Sequence, residues 1–95
     1  MLERRLTIIN RLGLHARAAA KVVRMASAFQ SNVRLERVDA SAAADAKSIL
    51  SLLMLAASRG TELKMSVEGV DERAAANAID ELFASGFGEE QVVPQ

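Results

Sequence analysis

Gly13-Leu14-His15-Ala16-Arg17-Ala18-Ala19-Ala20 stands where a strand-like run gives way to an alanine-rich helical one. Just upstream, Arg5-Leu6-Thr7-Ile8-Ile9-Asn10 is β-branched and roughly alternating, with Leu6 and Ile8 on one face. Asn10-Arg11-Leu12-Gly13 forms the connecting loop, and Gly13 supplies backbone freedom just ahead of the single histidine. From Ala16 to about Phe29, the residues Ala19, Val22, Val23, Ala26 and Phe29 recur at helical spacing, with Arg17, Lys21 and Arg24 opposite. The chain therefore opens with a strand, a loop and an amphipathic helix. No Ser, Thr, Asp or Asn occupies the expected N-cap, so His15 takes that position.

Working outward, Asn32-Val33-Arg34-Leu35-Glu36-Arg37 alternates cleanly as a second strand with one wet face. Asp39 suggests a turn, and Val38 to Ala44 is expected to return as a hairpin strand. A short helix is expected over Ile49 to Ala57, with Ser48 as N-cap and Gly60 as the C′ residue. Glu62-Leu63-Lys64-Met65-Ser66-Val67-Glu68 alternates again, with Leu63, Met65 and Val67 inward. Gly69-Val70-Asp71 is a turn whose last residue is an N-cap candidate, and Glu72 follows where its charge suits the helix dipole. Ala75, Ala78, Ile79, Leu82 and Phe83 mark a third helix ending near Gly86, and residues 89–95 are expected to be a flexible tail after a domain spanning 1–88. The order is βαββαβα. One apolar face per strand and one main stripe per helix predict an α/β fold, a two-layer sandwich with helices on one side of a single sheet.

Composition narrows the function. Ninety-five residues, 51% hydrophobic, suit one compact domain with its own core. Without cysteine there is no disulfide framework and no thiolate metal site, and a lone histidine argues against zinc. Twelve basic and twelve acidic residues cancel, and with three aromatics the chain is a poor fit to nucleic acid. Met1-Leu2-Glu3-Arg4-Arg5 lacks the apolar core of a signal peptide, and no stretch has the length of a membrane span, so a cytoplasmic location is expected.

The residues at the first helix start point to phosphoryl chemistry. A helix N-terminus presents unpaired N–H groups and the positive end of the macrodipole, so anions are favoured there. A neutral imidazole offers a ring-nitrogen lone pair, and an arginine grips phosphate through its planar fork of donors. A cation in the first turn opposes the dipole by roughly 0.3–1 kcal/mol, so helix stability does not explain Arg17. The plain alternatives are a polar cap at His15 and a solvated charge at Arg17. Lys21 and Arg24, each ordinary alone, extend Arg17 into a basic stripe suited to an acidic partner. Ser48 is either a simple cap or a phosphorylation site, since a phosphoserine also suits a helix start. The helix after it carries surplus apolar residues: Ile49, Leu52 and Ala56 lie on one line, Leu50, Leu53, Met54 and Ala57 on another. One line suffices for packing, and the other is a candidate docking patch.

Asn10-Arg11-Leu12-Gly13-Leu14-His15-Ala16-Arg17, followed by three alanines, resembles the active-site segment of the HPr family. Its members are the histidine phosphocarriers of the phosphoenolpyruvate-dependent phosphotransferase system. Lys47-Ser48-Ile49 resembles the family's second signature, and the likeness runs from Leu6 to about Phe87. The resemblance implies an antiparallel sheet in the order 1-4-2-3. It implies that His15 takes a phosphoryl group on Nδ1 from phosphorylated enzyme I and passes it to a histidine of a IIA protein, while Arg17 neutralises the phosphate. It also implies that a serine kinase modifies Ser48 in some members, that Ile49, Leu50, Leu53 and Met54 with Ala16 and Arg24 face partners, and that Leu52 and Leu55 are core. Such a protein is a monomeric carrier rather than an enzyme and needs no cofactor, no metal, no membrane and no nucleic acid.

Many members carry proline where this chain has Ala18, which implies slightly more backbone freedom and no loss of chemistry. Ser51 to Gly60 and Ala84 to Glu90 resemble the nitrogen-related branch, NPr, more than the sugar-transport carriers. Two other readings compete with the phosphocarrier: a regulatory binding module controlled at Ser48, and an unrelated sandwich whose helix face serves dimerisation or a small ligand.

Overall fold

The computed structural model describes residues 1–89. Four strands form one sheet: β1 (Leu2–Thr7), β2 (Asn32–Arg37), β3 (Ala43–Asp45) and β4 (Glu62–Glu68). Three helices are interspersed: α1 (Ala16–Ser27), α2 (Ile49–Leu53) and α3 (Glu72–Ala84), with a 3-10 turn at Gly86–Gly88. The sheet is antiparallel in the order β1-β4-β2-β3, the arrangement implied by the resemblance. Leu6, Val33, Leu35, Leu63, Met65 and Val67 alternate along the strands and are buried, so one face of the sheet carries the core. Ala19, Val22 and Ala26 of α1, Leu52 of α2, and Ala75, Ala76, Ile79 and Phe83 of α3 close over it.

Several boundaries differ from the sequence pattern, each for a physical reason. The first strand runs over Leu2–Thr7 rather than Arg5 to Asn10, because β4 reaches back to pair Val67 with Leu2. Leu6 and Ile8 still face inward. Helix α1 stops at Ser27, short of Phe29. The hairpin return is only Ala43–Asp45, because residues 38–42 are spent on a turn in which Ala40 has φ 62° and Asp39 accepts the Ser41 N–H at 2.9 Å. Helix α2 ends at Leu53 instead of Ala57, and Gly60 is not its terminator. Ala56 adopts φ 50°, and Arg37 Nη1 donates to the Leu55 and Ala56 carbonyls at 3.0 and 3.3 Å. Leu55 and Ala56 N–H turn to the Leu52 and Leu53 carbonyls, three residues back, so the α-helical ladder tightens and stops, and Arg37 satisfies the carbonyls left over beyond it. Asp71 stands at the start of α3 but does not cap it. Its carboxylate accepts the Gln30 and Ser31 N–H groups, both at 2.9 Å, and the Ser31 hydroxyl.

Candidate functional site

The loop carrying His15 is built by hydrogen bonds from both sides. Gly13 N–H donates to the Asn10 carbonyl at 3.2 Å, and Leu14 N–H donates to the Ala57 carbonyl at 2.8 Å. The second bond ties the entry of α1 to the exit of α2. Gly13 sits at φ 69°, and a Cβ there would lie 2.7 Å from the Ala57 carbonyl oxygen and 2.9 Å from Ser58 Cα. Only glycine meets both requirements. The position therefore demands glycine for close approach as well as for backbone freedom.

His15 is the N-cap residue of α1, with extended backbone and no side-chain bond to the helix amides. The first turn contains no acidic residue. Among the described residues, the N–H groups of Ala16, Arg17 and Ala18 meet no acceptor. Ala16 and Arg17 are exposed, while Ala18 is buried in the core. Arg17 makes no ion pair or side-chain hydrogen bond among the described residues. The helix start thus combines free donors, a free guanidinium and a partly exposed imidazole, which suits it to an anion.

Two residues that the sequence pattern did not single out complete this corner. Asn10 is fully buried, and its Nδ2 donates to the Gly13 carbonyl and to Glu89 Oε1, both at 2.8 Å. The other Glu89 oxygen, Oε2, faces His15 Nε2 as hydrogen-bond partner. Burial pushes the Glu89 carboxyl up, but the Asn10 amide, the His15 ring and the Lys21 charge outweigh it and hold the group below the ordinary glutamate range. Glu89 belongs to the stretch expected to be tail, yet it is held here; 90–95 lie outside the described residues. Phe87 explains why. It is buried against Phe83, with ring centroids 4.8 Å apart, and its carbonyl accepts from Lys21 Nζ at 2.5 Å. An aromatic between two glycines was the available signal for a returning chain, and nothing in the sequence marked Glu89 itself.

That Lys21 contact changes the expected basic stripe. Lys21 is turned to the Phe87 carbonyl, which leaves Arg17 and Arg24 as the exposed cations of α1. Arg24 occupies the last turn, where a positive charge also suits the dipole.

At the second helix start, Ser48 Oγ accepts the Ser51 N–H at 3.3 Å, so this serine is a working cap. The division of apolar residues along α2 is not the one drawn from spacing. Leu52, Leu55 and Ala57 are buried, whereas Ile49, Leu50, Leu53 and Met54 are exposed, Leu50 and Met54 at 71% and 75%. Because the helix ends at Leu53, periodicity beyond it does not apply. The exposed set is the one that the resemblance assigned to partners.

Among the described residues no helix is long and apolar enough to cross a membrane, and no cluster of acidic, histidine or cysteine side chains could hold a metal ion.

A family model described as "PTS HPr component phosphorylation site" matches residues 2–85. The chain is 47% identical over 90 residues to the phosphocarrier protein HPr of Xylella fastidiosa, which covers 95% of this chain and 99% of that protein. It is 42% identical over 87 residues to the phosphocarrier protein NPr of Proteus mirabilis, covering 92% and 96% respectively. A crystal structure of HPr from Thermoanaerobacter tengcongensis superposes with a TM-score of 0.88 at 42% identity, covering 96% of this chain and all of that one.

Proposed function

The chain belongs to the HPr family of phosphotransferase-system phosphocarriers, and from that premise we propose that His15 accepts a phosphoryl group from phosphorylated enzyme I and hands it to a histidine of a IIA protein. The observation that carries this reading is the start of α1, where His15 leaves the first-turn amides uncapped and Arg17 stands exposed without a partner among the described residues. The chemistry is a displacement in each direction. A lone pair on the imidazole Nδ1 forms the N–P bond while the bond from phosphorus to the donor atom breaks. The first-turn N–H groups and the Arg17 guanidinium balance the charge on the phosphoryl oxygens. Nothing is released to solvent, so the protein is a carrier that is itself modified and regenerated.

Partners dock on the exposed apolar surface of α2, namely Ile49, Leu50, Leu53 and Met54, together with Ala16 and Arg24 of α1. An apolar patch bordered by arginine suits a partner with an apolar, acidic-rimmed face. Phosphorylation of Ser48 by a serine kinase would place charge at the edge of this patch and weaken docking, giving the carrier a regulatory input. The protein acts as a cytoplasmic monomer. The segments Ser51 to Gly60 and Ala84 to Glu90 favour nitrogen-related regulation over sugar uptake.

Incubation with enzyme I and phosphoenolpyruvate tests the central claim. The expected result is one acid-labile, base-stable phosphate per chain, absent in His15→Ala. An unmodified wild-type protein beside an active enzyme I would overturn it.

A further inference from the structure

The contact between Glu89 and His15 is explained neither by capping nor by core packing, and the positive helix start favours a carboxylate there without selecting this one. It is a constructed arrangement. Phe87 is buried against Phe83, Lys21 holds the Phe87 carbonyl, and Glu89 N–H donates to the Gly86 carbonyl at 3.2 Å. These bonds bring the chain back to the entry of α1 just where one more residue reaches the imidazole. Asn10 then fixes the carboxylate from the other side. Both N–H groups of its amide are engaged, one on the Gly13 carbonyl and one on Glu89 Oε1. Its orientation is therefore set by the same loop that presents His15.

We infer that Glu89 is a positioning residue for phosphoryl transfer, holding the Nε2–H of His15 so that Nδ1 carries the lone pair and balancing the cationic ring that forms when Nδ1 is phosphorylated. This inference rests on the proposed role of His15 as acceptor. An ionised carboxylate only accepts hydrogen bonds, so the nitrogen facing it bears the proton. In the neutral ring the other nitrogen, Nδ1, is then the nucleophile. When its lone pair forms the bond to phosphorus and the donor's bond to phosphorus breaks, the Nε2 proton has no need to leave. The phosphorylated ring is an imidazolium with its proton shared by Glu89. On transfer to the acceptor, the N–P electron pair returns to Nδ1 and restores the starting tautomer. Beside the pair stands one charged group, Lys21 of α1, and Asn10, from the loop, is neutral. Lys21 is bonded to the Phe87 carbonyl, so the Glu89 Oε2 is left to the ring.

The test uses the full chain, phosphorylated by enzyme I, as wild type, Glu89→Gln and Glu89→Ala. Two quantities are read: the ring-nitrogen chemical shifts of unphosphorylated His15, and the pH profile of phosphohistidine hydrolysis. In Glu89→Ala the bias toward the Nε2–H tautomer falls. In both variants the midpoint of the hydrolysis profile moves to lower pH by a few tenths of a unit, as expected for loss of one partly exposed ion pair. Onward transfer to the IIA protein slows roughly two- to five-fold near neutral pH. Glu89→Gln keeps an acceptor for the Asn10 amide, so amide spectra matching wild type away from residues 10–15 and 85–89 accompany these changes. Profiles and tautomers that coincide in all three proteins would overturn the role of Glu89 while leaving the phosphocarrier reading intact. A wild-type chain that takes no phosphate would overturn both.

Discussion

Helices α1 and α2 begin in opposite ways. At α2 the Ser48 hydroxyl accepts the Ser51 N–H, and the start is satisfied from within. At α1 the capping position holds a side chain that turns away from the helix, toward Glu89, and the first turn carries an arginine instead of an acid. By the usual rules α1 is the worse helix start. It is nevertheless the longer helix, with twelve residues against five, because Ala18, Ala19, Val22 and Ala26 bury one whole face. Tertiary packing stabilises α1 sufficiently for its N-terminus to stay uncapped. A helix as short as α2 has only Leu52 buried within it, and it depends correspondingly more on its cap.

The contrast is most easily broken at the loop that presents His15. Gly13→Ala places a Cβ against the Ala57 carbonyl and Ser58 Cα, both backbone atoms, at a residue with φ 69°. Left-handed strain and overpacking together should cost roughly 2–5 kcal/mol, a large part of the stability of a domain this size. Denaturant unfolding measures it, and a loss under 1 kcal/mol would mean that the α1 entry and the α2 exit are less tightly joined than the Leu14–Ala57 bond implies. Arg17→Ala acts on chemistry alone. Loss of a charged hydrogen-bond donor to the phosphoryl group should slow transfer about 10–100-fold. Removing a cation from the positive end of the dipole should leave the melting temperature unchanged or slightly raised. Transfer at the wild-type rate would remove Arg17 from the site.

How far the site was legible follows the same contrast. His15 and Arg17 stood out because they violate local rules: no cap and a wrong-signed charge. Strands β2 and β4 were readable residue for residue, since each alternates across a sheet with one buried face. What could not be read depends on partners distant in sequence. Arg37 reaches across to the Leu55 carbonyl just past the end of α2, and Asp71 serves Ser31 rather than its own helix. Glu89 reaches the imidazole only because Phe87 finds Phe83. Local pattern shows where a helix breaks its own rules, but not which remote side chain answers.

Ser48→Ala sharpens the comparison at the satisfied start. Loss of the cap should cost ~1 kcal/mol of unfolding free energy. His15→Ala removes no cap but does remove the ring's bond to Glu89, so its loss should be the smaller of the two, and a comparable loss that persists in the Glu89→Ala background would show that the ring stabilises α1 itself. Thermal melts of the two variants side by side decide this.

The smallest effect concerns the start of α3, where an acid is present but committed elsewhere. The Ser31 hydroxyl, followed by the Gln30 N–H, holds the Asp71 carboxyl below its ordinary value of 3.8, against a smaller opposing push from burial. A carboxylate depressed in the folded state stabilises the fold above its unfolded pKa and loses that contribution as pH falls through its folded value. Asp71→Asn has no such titration. The melting temperature of wild type should therefore exceed that of Asp71→Asn near neutral pH, and the gap should close as the solution is taken below the ordinary carboxylate range. A gap that persists undiminished in acid would mean that Asp71 acts through hydrogen-bond geometry rather than charge.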